Sequence, residues 1–474
     1  MLAEAPYRYF TCTVPPTPLT LALMLYPVLK LIYKIGLWVF FRKFEVRNRH
    51  LMPGRGPLLV VANHPNTFMD PIVIALLLRQ QVYFIAKSTV FNSPLKKWLL
   101  HRMNLIPVQR REDMPDQAIN NEETFRASTE ALAARKTLLI FPEGNSFNER
   151  RLRKVKTGAA RMALGALANT DAAADLKILP VGLNYSDPTR FRSDVFVSVG
   201  KPIEVAAYLE SYRQDSVSTV AALTERIRQQ LEKLIVVTPT DEEDELVRQI
   251  ERIYKDRLVT QVPIPAPRHE QDFLLTRGIV KSMAHFISTQ PERVARFKDK
   301  VAVYNALLRG LGLQHLPSGS NSSPQLWPSI RSTLLLVAGF PLYLYGLVNN
   351  YIPYIIPSKV ADALTEEEEF LAPIMLTVGI FSFPVCYTLQ ALLFWQMMPD
   401  YYLYLLLYLV SLPLSGFFTL RYWLALGRTR EQWRLLRLAR QKAPAAEQLK
   451  QHHQEILDEL EQAREEYMRQ QPAS

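Results

Sequence analysis

Three apolar stretches in the C-terminal part of the chain, at roughly 333–356, 371–396 and 401–420, constrain its fold more than any other feature. Each is long enough to be read as a membrane-crossing helix, and together they define a transmembrane region over residues 327–425. A fourth apolar block, TPLTLALMLYPVLKLIYKIGLWVFF (17–41), is interrupted by Pro27, Lys30 and Lys34. It reads as a membrane-associated helix within residues 1–44, either spanning or lying in the interface. It lacks the small-residue cleavage site of a signal peptide.

The flanks of these blocks conflict. TEEEEF (365–370) is acidic, whereas RYWLALGRTREQWRLLRLARQK (421–442) is strongly basic. The positive-inside rule places the basic stretch in the cytoplasm. A domain that acts on cytosolic metabolites belongs there too, and three full spans cannot put both on one side. One block is therefore expected to be re-entrant or interfacial, or one flank is misassigned.

The formal net charge of +11 admits nucleic acid, an anionic membrane surface or acidic substrates as partners. Basic residues cluster beside the apolar blocks, as in Phe41-Arg42-Lys43 and over 421–440, which favours the membrane surface. No zinc-finger spacing or RNP-like aromatic pattern supports nucleic acid. Two cysteines, Cys12 and Cys386, exclude a disulfide framework and fit a reducing compartment. No His-x-x-x-His pair occurs among the eight histidines, so no protein-built zinc site is expected.

Residues 45–240 alternate between β-rich runs (57–62, 82–86, 137–141, 178–185, 194–200) and helical patterns such as 71–81 and 159–168. This predicts an α/β domain whose sheet, parallel or mixed, is flanked by helices. Residues 241–326 read as a polar helical segment followed by the linker PSGSNSSP (317–324). Residues 426–474 read as a basic and charged helical tail, its last segment (443–470) a solvated or partner-binding helix.

Four short stretches within 45–240 could carry chemistry. In VVANHPNTFMD (60–70), His64 and Asp70 are six positions apart. On one helix that is a rotation of about 240°, so the pair can meet only across a turn. Asp70-Pro71 suits an N-cap followed by the first helical position, and His64 suits a polar strand end. An aspartate so placed could also hold an imidazole nitrogen, fix its tautomer and make His64 a general base. NLIPVQRR (104–111) ends in two arginines, the fork geometry that suits phosphate, although surface arginines are common. TLLIFPEGNSFNERRLRKVKTG (137–158) runs from a strand into Phe141-Pro142-Glu143-Gly144. There Glu143 could accept from a hydroxyl or orient a cation, Gly144 permits a sharp turn, and Lys154 and Lys156 add charge. ILPVGLNY (178–185) is silent as chemistry and plausible as the wall of an apolar channel; its Pro180 suggests a strand edge or end.

Taken in order and spacing, these blocks resemble the glycerolipid acyltransferase family over about residues 45–240. The resemblance is closest to the fungal-type glycerol-3-phosphate and dihydroxyacetone-phosphate acyltransferase branch, through FPEGNSFNERRLRKVKTGAARMALGA and GLNYSDPTRFRSDVFVSVGKPI. It implies that His64 takes the acceptor's hydroxyl proton with support from Asp70. It implies that Arg110 holds the acceptor phosphate and that Glu143, Gly144 and Lys156 shape the acceptor site. The donor would be an acyl-CoA or acyl carrier protein thioester, with no metal and no cofactor. The acceptor would be a phosphorylated glycerol or glycerone. The setting would be a lipid bilayer, with the catalytic domain facing the cytoplasm at a bacterial inner membrane or the endoplasmic reticulum. The sequence departs from the family pattern in three places. Five residues rather than four separate His64 from Asp70, a mark of the fungal-type branch; Asn104 stands where glycine is usual; and Asn145-Ser146 replace Thr-Arg. The missing arginine leaves Arg150, Arg151 or Arg153 as substitutes. The rival readings are a lysophosphatidic acid acyltransferase, an inactive scaffold or lipid-binding protein, and a transporter. Too few spans and too few buried charges count against the last.

Overall fold

The computed structural model describes residues 19–110, 120–169, 173–261, 266–314, 316, 326–441 and 444–470. Cys12, Arg111 and the linker 317–324 lie outside these residues. The N-terminal half begins with helix α1 (Leu19–Phe40) and strands β1 (Lys43–Arg47) and β2 (Leu58–Ala62), then α2 (Met69–Leu77) and β3 (Val82–Lys87). It continues through α3 (Pro94–Arg102), β4 (Leu105–Val108), α4 (Glu122–Ala133), β5 (Thr137–Ile140) and α5 (Gly158–Asn169). It closes with β6 (Lys177–Tyr185), β7 (Asp194–Val199), β8 (Ile203–Glu204), α6 (Leu209–Gln214) and α7 (Ser216–Leu234).

The strands form one mixed sheet in the order β1-β7-β6-β2-β5-β3-β4, with β8 paired to β6. β6 runs antiparallel to β7 and β8, and the other pairings are parallel. Central β2 is apolar at every position because both of its faces are covered. Leu58, Val60 and Ala62 pack with α1 and α2, whereas Leu59 and Val61 pack with α4, α5 and α7. The five β-rich runs expected from sequence are all strands. The expected helix 71–81 differs: α2 starts at Met69 and ends at Leu77, and its N-cap is Phe68, without a side-chain cap. The turn forms because the Met69 and Asp70 N–H groups both donate to the Asn66 carbonyl, which leaves the Asp70 carboxylate for other partners.

Beyond the sheet, α8 (Asp241–Gln261), α9 (Arg268–Thr289) and α10 (Pro291–Gly310) build a separate apolar core. The last helix, α14 (Pro444–Gln470), completes that core instead of standing in solvent. Its buried Ala446, Leu449, His453, Ile456 and Leu457 follow helical spacing and form one stripe against α8–α10.

Among the described residues, three helices are long and apolar enough to cross a membrane: α11 (Leu326–Leu364), α12 (Glu368–Met397) and α13 (Tyr402–Arg440). α13 runs unbroken through the boundary expected at 425/426. Along α11, Thr333, Leu336, Tyr345 and Asn349 meet Trp433, Tyr422, Ser411 and Tyr408 of α13, an antiparallel register. Asn349 and Pro353 of α11 meet Gln390 and Ser382 of α12, again antiparallel. α12 and α13 therefore run in the same sense, one after the other, beside α11. The chain returns to the level at which α11 began, where the Gln314 N–H donates to Glu431 at 3.0 Å and Arg434 bonds the Gly312 carbonyl. The conflict posed by three simple spans does not arise in this arrangement. The long helices lie alongside the sheet domain, with Gly36 of α1 against Leu376 and Ile380, and Phe191 against Tyr354. Their apolar residues, including Leu335, Val348, Phe381, Leu393 and Leu407, remain exposed, as a lipid-facing surface requires.

Candidate active site

β2, β5 and β6 are mutually parallel neighbours, so their C-terminal ends share one edge of the sheet. Open α/β sheets bind ligands beyond that edge. His64 lies two residues past β2, and Phe141-Pro142-Glu143 leave β5 beside it, since Val61 pairs with Ile140. Strand pairing thus brings together segments 79 residues apart.

His64 Nδ1 lies 2.8 Å from Asp70 Oδ2. A carboxylate only accepts, so the proton in this bond belongs to Nδ1 and Nε2 is the acceptor of the neutral ring. Asp70 is fully buried, and three donors hold it: His64, the Asn66 N–H at 2.7 Å and the Tyr185 hydroxyl at 2.7 Å. Burial, and then the neighbouring Asp70 charge, push the Tyr185 hydroxyl well above its ordinary pKa, so it stays a donor. The His64 ring stacks on Phe141 with centroids 3.8 Å apart and planes 7° apart. With 12% of its side chain exposed, His64 sits at an opening and not in a sealed core.

Glu143 acts on the backbone. Its two oxygens accept the N–H groups of His64 (3.0 Å) and Arg153 (2.9 Å), tying the β2 and β5 exits together. Burial pushes its carboxyl up to about 7, against the opposing pull of those two hydrogen bonds. Gly144 adopts φ +89°, and a Cβ there would lie 2.5 Å from Lys156 Nζ. Glycine is favoured there by the backbone conformation, whereas the Lys156 end could shift aside. Arg110, which follows β4 on the same edge, donates to Asn145 Oδ1 at 3.1 Å, and the Thr67 N–H donates to Ser146 Oγ at 2.9 Å. Asn145 and Ser146 thus bridge the blocks alongside Glu143. Asn104 has φ +61°, a left-handed conformation that asparagine tolerates better than most residues, which accounts for its standing in place of glycine.

Arg150, Arg151 and Arg153 are engaged with carboxylates. Arg150 pairs with Asp244 and Glu251, Arg151 with Asp241 and Glu149, and Arg153 with Glu149. Arg150 and Arg151 thereby fasten α8 to the sheet domain.

Sequence reasoning missed Tyr185, Asn66 and Asn63. Asn63 exchanges two hydrogen bonds with the Leu183 backbone, at 2.9 and 2.7 Å. It also missed the border with the membrane helices. Thr67 Oγ1 donates to the Glu369 carbonyl at 2.8 Å, Asn148 reaches Glu368 at 2.9 Å, and Phe68 meets Phe370 edge-on. No local pattern signals a contact between residues 302 positions apart.

A family model described as Acyltransferase matches residues 43–184, the segment that contains this constellation. That segment is therefore similar to acyltransferases. Glycerol-3-phosphate O-acyltransferase 1 of Saccharomyces cerevisiae is 23% identical over 79% of this chain and 62% of its own length. Glycerol-3-phosphate O-acyltransferase 2 of the same yeast is 30% identical over 42% of this chain and 26% of its own length. A probable 1-acyl-sn-glycerol-3-phosphate acyltransferase 5 of Arabidopsis thaliana is 27% identical over 28% of this chain and 38% of its own length. The chain thus spans less than two thirds of each of these relatives. Among solved structures, the 1-acyl-sn-glycerophosphate acyltransferase of Thermotoga maritima is similar over 43% of this chain and 79% of that one, at 21% identity and a TM-score of 0.31. Within the sheet domain, residues of all four sequence blocks lie along one sheet edge.

Proposed function

We propose that this protein is a membrane-bound O-acyltransferase that moves a fatty acyl group from a CoA or acyl carrier protein thioester to a hydroxyl of glycerol 3-phosphate or dihydroxyacetone phosphate. The observation that carries the reading is the His64–Asp70 pair, held by the Asn66 N–H and the Tyr185 hydroxyl at the C-terminal edge of the sheet. Nε2 of His64 accepts the acceptor's proton as its oxygen attacks the thioester carbonyl. The tetrahedral intermediate collapses, the C–S bond breaks, and the thiolate leaves with a proton returned from His64. A hydroxyl is a poor nucleophile, and a positioned base contributes roughly 10²–10⁴ in rate. Arg110 binds the acceptor phosphate, Gly144 and Lys156 line the acceptor site, and Glu143 holds the backbone on which His64 rides. The acyltransferase domain and the basic end of α13 face the cytoplasm. Support comes from the return of α13 to the body that holds the domain and from the basic stretch over 421–440.

The second reading is a lysophosphatidic acid acyltransferase. The border of the site with α12, at Thr67–Glu369 and Phe68–Phe370, favours it, because an acylated acceptor would arrive through lipid. Purified protein given a labelled acyl-CoA with glycerol 3-phosphate, dihydroxyacetone phosphate and lysophosphatidic acid in parallel separates the two. A His64-dependent product from an unacylated acceptor supports the first reading. A product from lysophosphatidic acid alone supports the second. No product from any acceptor, with acyl carrier protein donors also tried, removes both.

A further inference from the structure

α3 (Pro94–Arg102) contributes no buried residue to the sheet domain. Its large apolar side chains point outward: Leu95 is 73% exposed, Trp98 54% and Leu99 41%. Positions i, i+3 and i+4 share one face of a helix, so the three form a continuous apolar stripe. The same helix carries Lys96, Lys97 and Arg102 and no acidic residue. None of these three cations is paired with a carboxylate among the described residues. The Arg102 guanidinium lies over the Trp98 ring, 4.4 Å from its centroid.

The topology places this helix on the membrane side of the sheet. α2 joins β2 to β3 and α3 joins β3 to β4, each between parallel strands and each stepping the same way along the order β2-β5-β3-β4. Such crossovers are right-handed, so both helices lie on one face. That face also carries α1 and α12, whose Leu37, Phe40, Ala372 and Leu376 share a core with α2. On α1, Leu31, Ile35 and Trp38 remain exposed as well. α3 begins beyond the C-terminal end of β3, at the sheet edge that holds His64 and Arg110.

We propose that α3 is an interfacial anchor on an anionic lipid surface. Leu95, Trp98 and Leu99 enter the boundary between headgroups and acyl chains, and Lys96, Lys97 and Arg102 bind anionic headgroups of the bilayer that takes α11–α13. Tryptophan and leucine on one face with lysine and arginine beside them is the composition of helices that lie in that boundary. The long stems of the cations let their charges reach the headgroups while the apolar stripe is immersed. A second protein is a poorer fit, because a stable interface takes roughly 800 Å² from each partner, more than three side chains supply. The stripe instead extends the lipid-facing surface of α1 and α12 along the same face. The anchor holds the site edge at the leaflet, where an amphipathic product would leave. That use of the contact rests on the acyl-transfer reading; the contact itself does not.

The test uses full-length protein, with Cys12→Ser and Cys386→Ser, in nanodiscs of phosphatidylcholine and phosphatidylglycerol. A single Leu95→Cys carries an environment-sensitive nitrobenzoxadiazole dye, and a doxyl-labelled phosphatidylcholine is the quencher. Gln214→Cys is the control, exposed on α6, which packs on the opposite face of the sheet through Leu209 and Tyr212. The dye at 95 should be blue-shifted and quenched by the doxyl lipid, and the dye at 214 should be neither. Lys96→Glu with Lys97→Glu should lower quenching at 95 about threefold. None of these side chains is buried, so the variants should keep the wild-type Tm, which separates a lost contact from a lost fold. Quenching at 95 no greater than at 214, or undiminished by the two charge reversals, overturns the proposal. So does a blue shift at 95 without doxyl quenching, which would mean that protein covers the stripe. His64→Ala should leave quenching unchanged. If the acyl-transfer assay fails with every acceptor and the dye at 95 is still quenched, the catalytic reading falls and the anchor stands.

Discussion

The Tyr185 hydroxyl lies 2.7 Å from Asp70 Oδ1, on the opposite side of the carboxylate from His64. A buried carboxylate is tolerated only when its oxygens are satisfied. Tyr185 and the Asn66 N–H meet that need and fix the plane in which Asp70 presents its other oxygen to the imidazole. Tyr185→Phe should therefore lower kcat about tenfold through loss of His64 orientation, with the acceptor KM nearly unchanged. His64→Ala should cost roughly 10²–10⁴ in kcat. Steady-state kinetics on both variants checks this. A Tyr185→Phe enzyme with wild-type kcat would remove Tyr185 from the positioning role.

Arg110 leads to a different kinetic signature. Its guanidinium is held by Asn145 beside the Glu143-Gly144 turn, where an acceptor phosphate would meet it. Arg110→Ala should raise KM for the phosphorylated acceptor tenfold or more, with a much smaller effect on the acyl donor. Arg110→Lys should restore only part of it, because lysine lacks the fork that grips two oxygens. An equal rise for both substrates would point to a loss of structure.

Backbone geometry explains two positions that side-chain chemistry does not. Asn104 at φ +61° and Gly144 at φ +89° both lie where a β-branched residue is strained. Asn104→Gly should leave stability within a few tenths of a kcal/mol of wild type, and Asn104→Val should cost about 1–2 kcal/mol. Chemical denaturation of the pair measures both. Equal stability of Val and Gly at 104 would show that the left-handed turn is not needed.

How much of this was legible in the sequence depends on the range of each interaction. The β-rich runs were readable because β2 and β6 are buried on both faces and so are apolar at nearly every position. The His64–Asp70 pair was readable because the five residues between them, Pro65 to Met69, follow a strand and include a proline and an asparagine that suit the turn the pair needs to meet. Asp70 as an N-cap was misplaced by two residues, since the helix is started by the Asn66 carbonyl and not by a side chain. Tyr185 was illegible as a site residue. It closes an apolar strand, and only the parallel pairing of β6 with β2 carries it over Asp70. The roles of Arg150 and Arg151 were equally hidden, because their partners lie on α8, about 90 to 100 residues away.

Glu143 gives the site a pH dependence. Its folded pKa, about 7, lies above the ordinary 4.5 because burial disfavours the charged form. An acid with a raised folded pKa binds its proton in the native state after the unfolded chain has lost it. Its contribution to stability is therefore fully present below about pH 4.5 and declines as pH rises to about 7, beyond which it is level. Melting curves between these limits should show wild type losing Tm relative to Glu143→Gln as pH rises. Parallel Tm profiles for the two proteins would mean that Glu143 titrates normally.

The course of the long helices makes the last prediction. α11 leaves the helical core, α12 and α13 come back beside it in sequence, and α14 packs on α8–α10 through Leu449, Ile456 and Leu457. That stripe is fully buried, so detaching α14 would expose apolar surface worth several kcal/mol at ~25 cal/mol per Å². The tail and the sheet domain are then expected on one side of the bilayer. In a Cys12→Ser, Cys386→Ser background, single cysteines at the exposed positions Gln214 and Gln451 report the two regions. In sealed vesicles, a membrane-impermeant maleimide should label both or neither, and both should respond together when the vesicles are opened. Labelling of one from outside and of the other only after opening would require α11, α12 and α13 to cross separately. The contacts of Asn349 with both Tyr408 and Gln390 could not then hold.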